Sequence, residues 1–545
     1  MGEGPVAAAG RKMRPNWKLG APHDKRAQGL VVSGFADLPA AQALFLRCPD
    51  PAGLAGRKGA WLQTLNAVAP ITDADGRDER SAAIAFTFTG LKALGVTGPT
   101  LASFSAPFRE GMYQEDRLRR LGDRVDGKWT ETVVDGGPQW GGNTPVRRFA
   151  RDLGAAERVA AGKPEQEEEQ VRTPVTVHAL LILYDKDPAR VSSWATAVEE
   201  KALAPHGIEV VHRLALDLHL GPNGIGREHF GFADGISQPI PFDDNSGGLS
   251  DGTAVLVQGK VAKRDEQHGV PLGEILFGHV NGHHERAPGP MVPHDEKAAK
   301  QAHVPAEGVP EGFLNLGLDG SYLVVRELQQ DVPAFWKSME DGAAKINAGD
   351  PDAKDITALW LAERVVGRSI DGHLLCPKGY LGVDEYDQPR NDFRFLHDDP
   401  QGHGCPPGSH VRRGNPRDGL ASDAGAAQTL LDAANNHRIL RRGRKYGPKA
   451  DAAANDENAE RGLLFMCLNT DIARQFEFVQ QTWVLNSNFA TLFDETDPLI
   501  GPKSTFTIRE QPLRRIVEVE TFVKLAGGEY FFLPSIPAIK YLAAL

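Results

Sequence analysis

Cysteine is scarce in this sequence. Cys48, Cys376, Cys405 and Cys467 are the 4 thiols of a 545-residue chain, and no two stand in C-x-x-C spacing. That excludes a disulfide scaffold, makes a thiolate zinc site a poor expectation, and suits a reducing compartment. Long apolar runs are missing too. The strongest, VHALLILY (Val177 to Tyr184), is far too short to span a bilayer as a helix. The opening MGEGPVAAAGRKMRPNWKLG has no apolar core after its basic residues, so no secretory signal is expected, and the default location is cytoplasmic. A basic excess is absent: the net charge is −11, which argues against nucleic acid or an anionic membrane as partner. Several nucleotide and hydrolase signatures are also lacking. GPNGIG (Gly221 to Gly226) is not a G-x-G-x-x-G fingerprint, and neither a P-loop nor an H-E-x-x-H zinc helix occurs.

What remains is globular in composition, with 41% hydrophobic and 24% charged residues, and long enough for two domains. Residues 1–25 are Gly-, Pro- and base-rich and are expected to form a mobile tail. Polar insertions are expected over 155–172, 281–310 and 445–462. Between them a short β-rich run leads repeatedly into a helix. AAIAFTFTG precedes LKALGV, and VHALLILYD precedes PARVSSWATAVEEKAL, after which GIEVVHRLAL returns as a strand. GSYLVVREL precedes QQDVPAFWKSMED, and RGLLFMCLN precedes TDIARQFEFVQQTWV. Asp or Thr often stands where the helix starts. Two strand–helix units in each half predict an α+β protein built from two copies of one plan, each a sheet covered on one face by helices.

Three segments carry candidate chemistry. In REHFGFADGISQP (Arg227 to Pro239), Gly231 and Gly235 bracket Asp234, and glycine lets backbone approach a bulky flat group closely; the same residues also read as an ordinary D-G turn. In CPPGSHVRRGNPRD (Cys405 to Asp418), a lone His410 precedes two arginines, with Arg417 further on. A neutral imidazole ligates haem iron and arginines pair with propionates, although a lone histidine in a basic loop is commonly structural. In HRILRRGRKYG (His437 to Gly447), Arg441 and Arg442 end an apolar run. A permanently charged guanidinium can stabilise developing negative charge, whereas Arg444 and Lys445 read as a solvated basic helix end. His283, His284 and Glu285 lie in a Pro/Gly loop without a spaced second pair and make a poor metal site.

Taken in this order, GFADG, then HVRRGNPRD, then ILRRG, the chain resembles the dye-decolourising (DyP-type) haem peroxidases, from about Gln28 to its end and in the longer branch of that family. The likeness extends to GLKALG, GMYQEDRLRRLGD, GSYLVVRELQQDVPAFW and RGLLFMCLNTDIARQFEFVQ. It implies two ferredoxin-like domains with antiparallel sheets, taken as 26–240 and 241–545. It also implies a b-type haem held mainly by the second domain and lidded by the G-x-x-D-G segment. His410 matches the axial iron ligand, Asp234 the distal acid–base group and Arg441 the distal arginine. His229 and Arg417 match propionate contacts, and Asp471 is the candidate carboxylate behind the axial imidazole. The implied activity is reduction of hydrogen peroxide with one-electron oxidation of dyes and phenols through a ferryl intermediate. The alternative is a haem carrier, sensor or iron-recovery protein with little turnover. Trp336, Trp483 and Tyr446 are candidates for relaying electrons from bulky donors at the surface. Oligomeric state is not legible in the sequence.

Overall fold

The structure is a computed structural model and describes residues 17–49, 58–76, 79–142, 174–221, 224–243, 254–350, 353, 356–377, 379–384, 387–450, 459–509 and 514–545. The insertion expected at 155–172 lies outside these residues, as do 1–16 of the expected tail. The rest of that tail is structured. Trp17–Leu19 forms a strand antiparallel to Val255–Val257, and His23–Arg26 is a helical turn.

Eight strands dominate: β1 (Ala40–Arg47), β2 (Arg80–Phe86), β3 (Ala179–Asp185), β4 (Glu209–Asp217), β5 (Ser321–Gln330), β6 (Arg444–Tyr446), β7 (Gly462–Asn469) and β8 (Val523–Leu533). Their neighbours run β5-β7-β6-β4-β1-β3-β2-β8, and β8 pairs back with β5, so the sheet closes into a barrel. Each half repeats one order. In the first, β4-β1-β3-β2 places the strands as 4-1-3-2; in the second, β8-β5-β7-β6 does the same. That is the ferredoxin-like arrangement twice over. The halves join where Lys445 and Tyr446 face Asp217 and Leu216, and where Phe532 faces Phe86.

Side chains alternate across the barrel wall, as the two-residue period of a strand requires. Ala41, Ala43 and Phe45 of β1, Leu323 and Val325 of β5, and Leu464, Met466 and Leu468 of β7 fill the interior. Leu44 and Leu46, Tyr322 and Val324, and Tyr530 and Phe532 face outward, under helices. Both faces are apolar, which is why the strands read as continuous hydrophobic runs rather than as alternation.

Helices start where the aspartates stand. Asp187 accepts from Arg190 N at 2.8 Å to cap α1 (Pro188–Val198), and Asp331 accepts from Ala334 N at 2.9 Å to cap α2 (Val332–Gly349). In both, proline sits in the first turn, where its missing N–H costs nothing. Helix α2 buries Phe335, Met339, Ala343 and Ile346, one face at helical spacing. The segment expected to be a loop at 281–310 carries a strand, Met291–Pro293, paired with Phe313–Asn315, and a short helix, Lys297–Gln301.

Candidate active site

A cavity of about 280 Å3 opens on the outer face of the second half. Its floor is made by β5 and β7 (Leu328, Leu463, Phe465), one side by the π-wound segments Ala473–Glu477 and Val479–Val484, and its roof by residues 228–237.

The roof is a tight loop held by its own side chains. Glu228 accepts from Phe230 N at 2.8 Å and Phe232 N at 2.9 Å, while Arg227 donates to Gly231 O at 2.9 Å. Gly231 takes φ +99° and Gly235 φ +78°, which only glycine adopts without strain. Burial pushes the Glu228 carboxyl up to about 7 against the hydrogen bonds it accepts. Asp234 is thereby aimed into the cavity, 3.3 Å from Arg441 Nη1 across a sequence separation of 207. Burial alone would raise the Asp234 pKa, but the charges of Arg441 and Lys445 and the Gly235 amide hold it below the usual carboxylate range. Its Oδ1 takes the Gly235 amide at 2.6 Å and Arg441.

Arg441 is placed by strand alternation. Leu440 and Arg441 pair with Leu468 and Cys467 of β7; Leu440 enters the barrel core, so Arg441 points out to the cavity. Gln238 clamps its backbone on both sides, accepting from Arg441 N and donating to Arg441 O at 3.1 Å each.

His410 opens the short helix α3 (His410–Gly414) on the opposite wall. Its Nδ1 lies 2.9 Å from Oδ2 of the fully buried Asp497, which leaves Nε2 for the cavity. Burial lowers the imidazole pKa, and the Asp497 charge and hydrogen bond more than reverse that, so it sits above its ordinary value. Asp497 Oδ1 is itself fixed by the amides of Leu499 and Ile500 at 2.9 and 3.0 Å.

Asp471, expected behind the imidazole, is not there. It stands at the strand-to-helix junction as Asp187 and Asp331 do, accepts from Arg474 N at 3.0 Å, and is half-exposed. The carboxylate that does hold His410 is 87 residues along the chain in a turn without a motif of its own, so spacing could not find it. Other expectations also change. Arg412 and Arg413 do not reach the cavity: Arg412 binds Asp399 O and Cys405 O, and Arg413 binds carbonyls of Trp483, Asn486 and Glu495. Arg417 lines the cavity but spends its donors on Asn391 O, Phe393 O and Asn391 Oδ1, stacked over Phe393 at 3.5 Å. His229 Nε2 donates to Tyr446 O, 2.8 Å away, while its Nδ1 is buried with no partner among the described residues; it is not on the cavity wall. Arg444 and Lys445 are no solvated helix end. They belong to β6, 1% and 2% exposed, with Arg444 gripping the carbonyls of Gly34, Phe35, Leu38 and Pro39. Trp483 and Tyr446 are buried at 5% and 4% exposure and are not surface residues, whereas Trp336 is half-buried.

The cavity has the character a haem requires. Its walls are mostly apolar, yet Arg368, Arg417, Arg438 and Arg441 line it against Asp234 and a Glu228 whose pKa is near neutrality. Arg438 Nη1 and both side-chain polar atoms of Asn415 are buried there with no hydrogen-bond partner among the described residues. A buried donor without a partner is costly, and a flat apolar group bearing carboxylates would satisfy it. The excess of guanidinium groups asks for anions, and His410 offers one free imidazole nitrogen.

No family profile matches the chain. The multifunctional dye peroxidase DyP2 of an Amycolatopsis species is 30% identical over 389 residues, covering 67% of this chain and 71% of that protein. The chain belongs to the dye-decolorizing peroxidase family. Dye-decolorizing peroxidase msp1 of Mycetinis scorodonius is 27% identical over 484 residues, covering 84% of this chain and 75% of its own. Among solved structures, the DyP-type peroxidase of Anabaena sp. superposes with a TM-score of 0.65 at 23% identity, covering 96% of this chain and 95% of that one. The fungal DyP-type peroxidase of Auricularia auricula-judae gives 0.65 at 22% identity, covering 96% and 99%. This member of the family is therefore a haem peroxidase with the two-fold ferredoxin-like fold. No helix among its described residues is long and apolar enough to cross a membrane.

Proposed function

We propose that this peroxidase binds haem b, whose iron His410 Nε2 would hold, reduces hydrogen peroxide with Asp234 as the acid–base group, and oxidises dyes and phenols. Haem b, when bound, supplies the redox chemistry that couples peroxide reduction to one-electron oxidation of the organic donor. The observation that carries the reading is the convergence of His410, Asp234 and Arg441 on one cavity. The held Nδ1 fixes the tautomer in which His410 Nε2 is unprotonated, and the Asp497 carboxylate raises its basicity. Asp234 Oδ2 accepts no hydrogen bond among the described residues and is the atom that takes a proton from one peroxide oxygen and returns it to the departing one. Arg441 offsets the charge growing on that departing oxygen. Arg438, with its unpartnered Nη1, is the best-placed propionate partner; Arg417 and His229 are weaker ones because their donors are largely committed. The unpaired state of Cys48, Cys376, Cys405 and Cys467 supports a cytoplasmic location, which fractionation of the native host would test.

The test is hemin titration of His410→Ala beside wild type, followed by dye turnover with peroxide. Wild type gives a saturable Soret band and turnover; the variant loses both tight binding and turnover. Equal Soret titrations would remove His410 as ligand.

A further inference from the structure

Away from the cavity, a second constellation gathers metal-ligating side chains. His23 Nδ1 lies 2.9 Å from Asp319 Oδ1 and 3.1 Å from Oδ2, and His279 Nε2 lies 2.7 Å from Asp319 Oδ1. The two rings meet edge-to-face with centroids 4.8 Å apart, and the ligand atoms of the three residues all fall within 4.8 Å of one another. None of the three lines the haem cavity.

We propose that His23, His279 and Asp319 bind one divalent first-row transition cation of the Zn2+ type. Two imidazoles with one carboxylate suit such an ion, whereas Ca2+ and Mg2+ prefer oxygen throughout. Metal–donor bonds of about 2.0–2.1 Å set tetrahedral donors roughly 3.3 Å apart. The 2.7–3.1 Å separations from Asp319 need to open by about half an ångström, and the two imidazole nitrogens, within 4.8 Å of each other, need to settle roughly 3.3 Å apart, to admit the ion. The ligands are little screened by water, the Asp319 side chain being 0% exposed, His279 9% and His23 13%, which strengthens their attraction for a cation. Asp319 also holds φ +61°, a left-handed conformation unusual outside glycine. Two other charges face the cluster. Arg26 Nη1 stands 3.9 Å from Asp319 Oδ2 and 3.5 Å from Glu307 Oε2, so Glu307 can take up the guanidinium when a cation occupies the carboxylate. On binding, the ring protons directed at Asp319 move to the other ring nitrogens or leave to water.

The three residues come from separate segments: the helical turn His23–Arg26, the turn after Phe277, and Asp319 two residues ahead of β5. His23 and Asp319 are 296 residues apart. The ion acts as a staple that fastens the first segment to the entry of a barrel strand, and it stabilises the folded state by binding there and not to the unfolded chain.

The experiment uses the haem-loaded protein after chelator treatment and dialysis. Zn2+ is titrated by calorimetry, bound metal is counted by mass spectrometry, and melting is followed by circular dichroism. Wild type is expected to take one Zn2+ per chain and to melt higher with it. His279→Ala and Asp319→Asn are expected to bind at least about 100-fold more weakly and to gain no thermal stability. His283→Ala/His284→Ala, on the exposed neighbouring loop, is expected to bind as wild type does. Should Asp319→Asn fail to fold, His23→Ala, altered at a less buried ring, gives the same readout with the Soret band as a check on folding. Absence of Zn2+ uptake by wild type, or equal uptake and equal melting shift in His279→Ala, would overturn the proposal.

Discussion

Replacing Asp497 by asparagine removes one charge and little else. The asparagine Oδ1 can still accept from the Leu499 and Ile500 amides, which Asp497 takes at 2.9 and 3.0 Å, so the turn is retained. What changes lies at 2.9 Å from His410. An amide N–H2 now faces Nδ1, and the imidazole can accept from it only by carrying its own proton on Nε2, the nitrogen that should ligate iron. Restoring the ligating tautomer then sets two donors against each other. A hydrogen bond to a charged group contributes about 1.5–3 kcal/mol. Loss of such a partner typically costs about 10–100-fold in metal affinity, or roughly 1.4–2.7 kcal/mol. Hemin titration at the Soret band should therefore show Asp497→Asn binding about 10–100-fold more weakly, with circular dichroism unchanged. Asp471→Asn is the matched control: it keeps a good helix cap and leaves His410 alone, so its affinity should equal wild type. The reasoning is refuted if Asp497→Asn binds hemin within threefold of wild type, or if Asp471→Asn is weakened as much.

Three further outcomes follow from the same geometry. With Asp234 as the proposed acid–base group, its carboxylate held below the usual range, activity is expected to persist into acid and to be lost only as pH falls through that depressed pKa. Arg441→Ala removes the largest charge opposing burial, so the acid limb of the kcat/KM profile should move to higher pH; an unmoved limb in the residual activity would dissociate Arg441 from Asp234. Arg438→Ala should weaken hemin binding with the axial ligand intact, and should leave binding of a hemin dimethyl ester much closer to wild type; equal losses for both haems would contradict the propionate role. Arg444→Ala strips the partner from buried carbonyls at Gly34, Phe35, Leu38 and Pro39 and is expected to destabilise the fold by about 3 kcal/mol or more in urea unfolding, whereas an effect below about 1 kcal/mol would contradict its clamp role.

Much of the plan was legible because it is local. The strand–helix units were readable from β-rich runs ending at Asp187 or Asp331, since a cap works through its own next few residues. Strand β6, only three residues long, was not, and its Arg444 and Lys445 imitate a solvated helix end; only the barrel that closes around Tyr184 and Leu38 reveals them as buried. The site divides the same way. His410, Asp234 and Arg441 sit in distinctive strings, whereas Asp497 acts through space from an ordinary turn, and Asp471 offered an equally plausible carboxylate nearer a recognisable strand. The His23–His279–Asp319 cluster had no signal at all, because its members share no element and no spacing.

The most direct test of the central claim is the reaction of the hemin-loaded protein with one equivalent of hydrogen peroxide, followed at the Soret band by stopped flow in wild type and Asp234→Ala. General acid–base catalysis by Asp234 predicts rapid conversion in wild type and a rate about 10²–10⁴-fold lower in the variant. Equal rates, or slow bleaching alike in both, would contradict Asp234 as the proton carrier.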